Sequence, residues 1–274
     1  MQRLRLIAII GLWSLSTHTN ASRQSTADTL VEYQTQTGVS VTGLDAASLD
    51  TLNAGETVYR TVKLSGDTGQ DSTIIRIVGY RLIDAARESL WLSALAYDGN
   101  YSKRLTEHLV GKTASGDALW YQHVNMPWPL RNRHWLISTR KNIELTRTTE
   151  GAIWEHQWEL ATNSRQQIAK LARRKVVPGL SSEDFRKSIL VPRNNGAWMM
   201  AETKTGKTLV VIHATMDMGG MIPDALVARS TKKQLMFMLE KIEQDSQSIW
   251  QTYDDRYPIV RGDGTLIEPI TPTR

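Results

Sequence analysis

The sequence predicts an α+β fold in which an antiparallel sheet is covered by a long C-terminal helix. Strand-like alternation of apolar and polar residues recurs between residues 57 and 216, and one short helical pattern interrupts it near residue 90. A long amphipathic pattern then begins near residue 223. Because the strands form a meander and do not alternate regularly with helices, an antiparallel sheet is favoured over a parallel one.

The composition is that of an ordinary globular protein. The chain has 274 residues, of which 41% are hydrophobic and 22% charged, and it contains no cysteine. These values exclude a disordered or collagen-like chain. The lack of cysteine excludes a disulfide scaffold, cysteine-based zinc sites and thiol nucleophiles. The net charge of +5 is compatible with anionic lipid or nucleic acid but requires neither.

Residues 1–21 are predicted to be a secretory signal peptide. Arg3 and Arg5 precede an apolar stretch over residues 6–15, and small residues lead to a cleavage position after Ala21. Ten apolar residues are too few to span a bilayer, and the alternative is a buried N-terminal helix or strand. Cleavage would lower the net charge from +5 to +3. Export of a chain without cysteine favours the bacterial periplasm.

The rest of the chain divides by composition. Residues 22–47 are polar and rich in Thr and Gln, and they are predicted to be a loose lead-in segment before the domain. One domain is predicted at 48–247, followed by a tail at 248–274 that is interrupted by Pro and Gly. The domain begins with alternation over Thr57–Leu64 and Ile74–Ile83, separated by turn residues, which predicts a hairpin. Helical spacing of apolar residues then predicts a helix over Ala85–Ala96.

The middle of the chain contains further strand patterns and one break. The predicted strands are Ala118–Val124, Arg133–Arg140, Glu144–Thr148 and Ile153–Leu160. The break at 163–187 is predicted to be a basic insertion, within which a short helix begins near Ser181. Its clustered cations are Arg165, Lys170, Arg173, Arg174 and Lys175. Such a cluster is typical of a solvated loop, and its next best use is contact with anionic lipid headgroups.

The last part of the domain is predicted to be three strands and a long helix. The strands are Ser188–Val191, Ala197–Thr203 and Leu209–Met216. A loop is then predicted before the C-terminal helix, because Gly219, Gly220 and Pro223 disfavour regular secondary structure. The side of this helix expected to be buried carries Leu226, Val227, Leu235, Met238, Leu239 and Ile242.

Two segments resemble a known family. The run Met126-Pro-Trp-Pro-Leu-Arg-Asn-Arg133-His-Trp135 is similar to the Pro-aromatic-Pro-x-x-x-Arg-Asp-aromatic signature of START domains, the StAR-related lipid-transfer family. The second segment runs from Gly196-Ala-Trp198 through Asp217-Met-Gly-Gly-Met-Ile-Pro223 to Val227, and resembles the passage from the family's last strand into its C-terminal helix. The resemblance extends over roughly residues 50–245, and the family's Asp after the signature arginine is His134 here.

This resemblance implies a helix-grip fold, a curved antiparallel sheet wrapped around the C-terminal helix with an internal hydrophobic tunnel for one lipid. Domains of this family generally bind or transfer a hydrophobic ligand without covalent chemistry. Shielding the ligand from water would contribute about 25 cal/mol per Å² of apolar surface. Arg133 matches the family's arginine, and we interpret it as mainly structural.

Strand alternation and the resemblance together select the tunnel lining. Alternation places Trp154, His156 and Trp158 on one face of a strand and three polar residues on the other, and it places His213 outward. His156 can be interpreted as a satisfied core histidine or as a ligand contact, and His123 as a cavity residue or an ordinary sheet position. The complete predicted ligand-binding set is His123, Trp135, Ile137, Thr139, Trp154, His156, Trp158, Trp198, Met200, Val210, Ile212 and Met216.

The loop before the last helix is predicted to gate the tunnel. Its two adjacent glycines can act as a hinge, and the predicted gate residues are Gly219, Gly220, Met221 and Pro223. Seven of the nine methionines follow residue 198, and such flexible side chains suit both a pocket for a bulky apolar guest and ordinary core packing.

The sequence contains no motif for catalysis, and no metal or cofactor is predicted. Its histidines never pair at helical spacing, and it has no nucleophile-elbow, P-loop or dinucleotide-binding motif. We therefore predict a non-catalytic, monomeric binding protein whose partner is a lipid or other hydrophobic molecule, with transient membrane contact through the insertion. The alternative is a helix-grip enzyme of the cyclase, hydratase or hydrolase type with His123 and His156 as its acid–base pair. Nucleic-acid binding conflicts with export.

Overall fold

A single large sheet organises the computed structural model, which describes residues 24–64, 74–95, 104–112, 117–220, 222–252 and 260–267. The predicted signal peptide at 1–21, Met221 of the predicted gate and parts of the predicted tail lie outside these residues. In the described part of the chain the sheet has nine strands in the order β1-β2-β9-β8-β6-β5-β4-β3, and β7 pairs in parallel with β5. The strands are β1 (Val58–Leu64), β2 (Ile74–Ile83), β3 (Leu105–Lys112), β4 (Ala118–Val124), β5 (Arg133–Lys141), β6 (Ile153–Leu160), β7 (Ile189–Leu190), β8 (Arg193–Glu202) and β9 (Thr208–Asp217).

Eight helices accompany the sheet in the same described ranges. They are α1 (Thr26–Thr37), α2 (Ala46–Asn53), α3 (Arg87–Leu95), α4 (Ile143–Thr148), α5 (Ser164–Arg174), α6 (Ser182–Lys187), α7 (Asp224–Ser246) and α8 (Ile249–Thr252). None of the helices in the described residues is long and apolar enough to cross a bilayer. The curved antiparallel sheet and the long helix α7 form the helix-grip fold that the sequence predicted.

The concave face of the sheet is covered in part by α7 and α3. Helix α7 packs against β2, β9 and α3 through Leu235, Leu239 and Ile242, which are all buried. Gly79 in β2 lets the helix approach closely, because a Cβ there would lie 3.1 Å from Leu239 Cδ1. Leu226 was predicted on the buried side of this helix, but the structure leaves it 52% exposed at the first turn.

The convex face is covered by the N-terminal helices. Helix α1 begins where the Ser25 side chain accepts a hydrogen bond from the Asp28 N–H at 3.2 Å, and it ends at Gly38, whose φ of 69° is left-handed. Leu30 and Tyr33 of α1 are buried in a cluster with Tyr80 and Val211 of the sheet. Residues 24–47, interpreted from their polar composition as a lead-in, therefore contain a helix that belongs to the packed core.

The predicted insertion at 163–187 forms α5 and α6, and it lies on the same convex face. Ile168 and Leu171 of α5 pack on Tyr121 and Leu136 of β4 and β5, and Phe185 of α6 stacks on Tyr121. The five cations named above all lie on the exposed side. The amphipathic character of α5 thus directs a basic surface outward while its apolar side covers the sheet.

One predicted strand is wrong. The segment Glu144–Thr148 belongs to α4, because Asn142 caps it by accepting from the Leu145 N–H at 3.1 Å. Thr149 strengthens the last turn by donating to the Leu145 carbonyl at 2.8 Å. Strand β3 was not predicted, and the other predicted strands and helices are present with small shifts at their ends.

Candidate ligand site on the concave face

Beside the part packed under α7, the concave face has a region whose apolar side chains stay partly exposed. It is formed by β3, β4, β5 and β6, and its centre is the buried cluster Trp135, Ile137 and Val191. The partly buried apolar side chains around this centre are Leu105, Trp120, Val124, Trp158, Leu160 and Met218. We call these nine residues the aromatic trough.

The register of the strands explains why these side chains meet. Trp120 in β4 lies opposite Ile137 in β5, and Thr139 in β5 lies opposite Trp158 in β6. Since side chains on one strand alternate between faces, opposed residues share a face and pack as neighbours. Alternation in adjacent strands thus brings together the trough residues that lie on β3, β4, β5 and β6.

The indole N–H groups of Trp135 and Trp158 in the trough are hydrogen-bonded within the sheet. Trp135 Nε1 donates to Gln122 Oε1 at 2.5 Å, and Gln122 Nε2 in turn donates to Glu107 Oε1. Trp158 Nε1 donates to Asn194 Oδ1 at 3.1 Å. With their polar atoms satisfied, these rings offer apolar surface to a ligand.

One end of the concave face carries a buried cation. Lys141 lies opposite His156, its side chain is only 3% exposed, and its Nζ is 3.7 Å from Asp117 Oδ1. Burial is the main cause of the lowered pKa of Lys141. Burial, followed by the charge of Lys141, lowers the pKa of His156 to about 3. The imidazole of His156 is therefore neutral at pH 7 and available only for hydrogen bonding.

Sequence reasoning missed Lys141. Thr139 was the last residue of this strand in the predicted set, and the next residue, Arg140, points to the opposite face, where it pairs with Glu159 at 2.6 Å. Thr139 and Lys141 are two positions apart and therefore share a face of the strand. The same period of two also identifies Gln122 and Glu107, which the sequence analysis did not select.

The structure divides the predicted ligand-binding set into two groups on the concave face and one outlier. Trp135, Ile137, Thr139, His156 and Trp158 line the trough or its cationic end, and Met216 is partly exposed at the end of β9 on the same face. The other members are covered by α7 and α3 and belong to the packed core. They are Trp154, Trp198, Met200, Val210 and Ile212.

His123 is the outlier, and of the two positions considered for it the structure shows a sheet position outside the concave face. It lies on the convex face with Tyr121, where its Nε2 is 3.0 Å from Ser188 Oγ, and burial lowers its pKa. Gln122 occupies the concave position instead, because it lies opposite Trp135. His213 lies on the convex face as predicted, but α1 buries it.

The predicted gate loop is held by Arg133. Arg133 is 2% exposed, and its guanidinium donates from Nε to the Met218 carbonyl and from Nη2 to the Gly219 carbonyl, both at 2.9 Å. Gly219 and Gly220 have φ of 66° and 72°, a region that favours glycine. Pro223 directly precedes α7. Arg133 therefore acts as a latch on this loop, in keeping with a structural role.

No cluster of three or more His, Asp or Glu side chains that could hold a metal ion is present among the described residues. The arrangement on the concave face can instead bury an apolar chain against indole rings and meet a polar group at the Lys141 end. Binding and desolvation are the chemistry that these side chains can supply.

Comparison with known proteins finds similarity in structure only. No family model matches the chain, and no curated protein matches it. Among solved structures, human StAR-related lipid transfer protein 5 is 8% identical with a TM-score of 0.49, over 81% of this chain and 95% of that one. Human STARD10 is 12% identical with a TM-score of 0.48, over 77% and 83% of the two chains.

A bacterial structure gives the same result. A fragment of the STAR-related lipid transfer protein from Xanthomonas axonopodis is 14% identical with a TM-score of 0.46, over 69% of this chain and 98% of that one. The strand order and the long helix α7 of the described residues agree with the fold that the two sequence motifs indicated. What the trough binds has to be argued from its own residues.

Proposed function

We propose that this protein binds one lipid or other hydrophobic molecule on the concave face and transfers it without covalent chemistry. The observation that carries the proposal is the aromatic trough, a group of large apolar side chains left partly exposed beside a buried cation. Each 100 Å² of apolar ligand surface covered there would contribute about 2.5 kcal/mol. Lys141 and His156 would hydrogen-bond a polar group at one end of the ligand, which makes an amphipathic guest the best fit.

The placement of the histidines supports binding over catalysis. The enzyme alternative depends on His123 and His156 acting on one substrate as acid and base, but these residues lie on opposite faces of the sheet. A general acid and base must both reach the reacting group within hydrogen-bonding distance. We therefore retain the non-enzymatic function as the proposal.

Transfer requires contact with a membrane, and we propose that it occurs at the latch end of the sheet. Trp128, in the loop between β4 and β5 that leads into Arg133, is 93% exposed. The segment that contains α5 and α6 begins and ends next to the first half of β5. At its start the Ala161 N–H donates to the Leu136 carbonyl, and at its end the Ile189 N–H donates to the Asn132 carbonyl. An exposed indole and an exposed basic helix suit an anionic bilayer surface. Export to a periplasm and a monomeric state remain part of this proposal.

Native mass spectrometry of the protein purified from its own host would test the proposal most directly. We expect one co-purifying hydrophobic molecule per chain. Protein that carries no such molecule and takes up none from lipid vesicles would contradict the proposal. Transfer itself would be measured as movement of a fluorescent fatty acid between vesicles, and it should be faster for anionic than for neutral vesicles because of the basic surface of α5.

A matched pair of variants locates the ligand. Leu160→Glu places a carboxylate in the trough, where it would have to be desolvated by a bound chain, so fatty-acid affinity should fall at least about tenfold. Leu266→Glu makes the same change at a side chain that is 56% exposed and is not one of the trough residues. It should leave affinity unchanged. Equal affinities of the two folded variants, checked by circular dichroism, would exclude the trough as the binding site.

A further inference from the structure

Part of the predicted tail returns to the concave face. Residues 260–267, which we call the C-terminal strap, form a short hairpin in which Val260 and Leu266 pair as an antiparallel bridge. Backbone hydrogen bonds of 2.7 and 3.0 Å close its tip. Val260 and Ile267 are buried, whereas Leu266 is exposed. One side of this hairpin therefore packs against the rest of the protein.

The strap is held on the concave face by two tryptophans. The Trp91 indole N–H of α3 donates to the Val260 carbonyl at 2.8 Å. Gly262 lies so close to Trp154 of β6 that a Cβ there would be 2.4 Å from Cγ of the ring. Arg87 restrains this ring, because its Cζ lies 3.9 Å from the ring centroid and its Nη1 donates to two backbone carbonyls. A side chain at position 262 would therefore displace the strap.

The strap lies next to the cationic end of the ligand site. Trp154 and His156 are two positions apart in β6, so their side chains share a face and lie roughly 7 Å from each other. His156 is paired with Lys141 of β5. Trp91, which donates to the strap, also meets the His156 ring at a centroid distance of 6.2 Å. The strap thus crosses the concave face one step beyond the two polar residues of the site.

The strap also closes the β5 side of this end. A Cβ on Gly264 would be 3.4 Å from Cδ1 of Ile143, which follows Lys141 by two residues. The Lys141 side chain is only 3% exposed, and its Nζ is 3.7 Å from Asp117 Oδ1. A polar group that reaches Lys141 and His156 therefore enters a space already walled by packed side chains and by the backbone of the strap.

On the basis of the proposed function, we propose that the C-terminal strap is the end wall of the ligand site and restricts it to lipids with a small polar group, such as a carboxyl or a hydroxyl. A large zwitterionic group such as phosphocholine would collide with the strap and would lose its hydration without gaining partners for both charges. Gly262 is the specificity-determining residue, since its lack of a side chain lets the strap lie on Trp154.

Two lipids with the same chain and different polar groups test this inference. Palmitate and palmitoyl-lysophosphatidylcholine would each compete with a bound fluorescent fatty acid, below their micelle concentrations. We expect the wild-type protein to prefer palmitate at least about tenfold. Equal affinity for the two lipids would overturn the inference and leave the proposed function intact. Binding of neither lipid would contradict the proposed function, and the inference would fall with it.

A matched pair of variants assigns the preference to the strap. Gly262→Val should lift the strap from Trp154, so the affinity for the lysolipid should rise to within about threefold of that for palmitate. Gly111→Val makes the same change in β3, where a Cβ would meet no atom of the described residues within 4 Å, and it should keep the wild-type preference.

A milder variant keeps the test decisive if the valine prevents folding, which circular dichroism would report. Gly262→Ala places only a Cβ against the ring and should reduce the preference for palmitate at least about twofold. A wild-type preference in a folded variant at position 262 would overturn the end-wall assignment. The same result would follow from an equal loss of preference in Gly111→Val.

Discussion

At the scale of single residues, the histidines show how burial decides chemistry. Burial is the largest cause of the pKa lowered to about 3 in His156, to about 3 in His213 and to about 4 in His134, each from an ordinary value of 6.5. All three are neutral in the folded protein at pH 7. The unfolded chain binds protons near pH 6.5, whereas the folded chain binds them only well below pH 5. Stability contributed by these residues is therefore present above pH 6.5 and is lost as the pH falls.

This sign gives a measurable pH dependence. The free energy of unfolding should decrease between pH 6.5 and pH 5, by up to about 1.4 kcal/mol per pH unit for each buried histidine. The carboxylates whose pKa is lowered, such as Asp184, act only below this window. Urea titrations at several pH values measure how the free energy of unfolding changes with pH. His156→Gln should reduce this slope by the contribution of about one proton, or about 1.4 kcal/mol per pH unit. A stability that is constant over this range would refute the neutral-histidine assignment.

At the scale of residues, the sequence predicted the face of a side chain correctly where the alternation within one strand was clear. Alternation placed Trp158 on the ligand face because its strand separates apolar and polar residues cleanly. Alternation within β4 was not used for His123, whose two possible positions were left open, and the structure places it on the convex face. The prediction also overlooked Lys141. The ligand-facing side of β5 was chosen partly by family resemblance, and the alternation was followed only as far as Thr139. The pairing of strands, which decides such cases, is a long-range property.

At the scale of elements, α1 is the largest departure from what the sequence predicted. Its apolar positions are few, and Leu30 and Tyr33 are the large side chains that it buries. A helix with so little apolar surface has no pattern that separates it from a polar linker, and its stability comes from the sheet beneath it. Helix α4 could have been found, because Asn142 is followed by Glu144 in the first turn, a combination typical of a helix start.

A pair of neighbouring substitutions tests whether α1 is an integral element. Leu30 is 2% exposed and Val31 is 56% exposed, so only Leu30→Ala should leave a cavity against the sheet. We expect Leu30→Ala to lower the free energy of unfolding by about 2–4 kcal/mol and Val31→Ala to change it by less than about 0.5 kcal/mol. Chemical denaturation followed by tryptophan fluorescence measures both. Similar small effects would mean that α1 does not contribute to the folded core.

At the scale of the whole molecule, one sheet separates two environments. The concave face combines the aromatic trough with the packed core under α7, and the convex face carries polar networks beneath α1 and beside α5. The two sides differ because successive residues of each strand point in opposite directions. The sequence predicted this division in β6, but which part of the concave face α7 would fill depends on the position of a helix some sixty residues further along the chain.

Arg133 connects the sheet to the loop before α7, and this connection leads to a prediction about exchange. Arg133→Gln removes the hydrogen bonds to the Met218 and Gly219 carbonyls, so this loop should open more often. Hydrogen exchange of the amides at 218–220 should accelerate at least about tenfold, since charge-assisted bonds of this kind are worth about 1.5–3 kcal/mol each. Release of a bound fluorescent fatty acid should accelerate in parallel if the loop gates the trough.

A second arginine from the same end of the sheet provides the control for this prediction. Arg131 is exposed and donates from Nε to the Lys187 carbonyl at 2.8 Å, away from the loop before α7. Arg131→Gln removes the same charge and should leave both exchange of the 218–220 amides and ligand release unchanged. Faster amide exchange with unchanged release in Arg133→Gln would keep the latch but reject the gate. Unchanged amide exchange would reject both, because the loop would then be held by contacts other than the guanidinium.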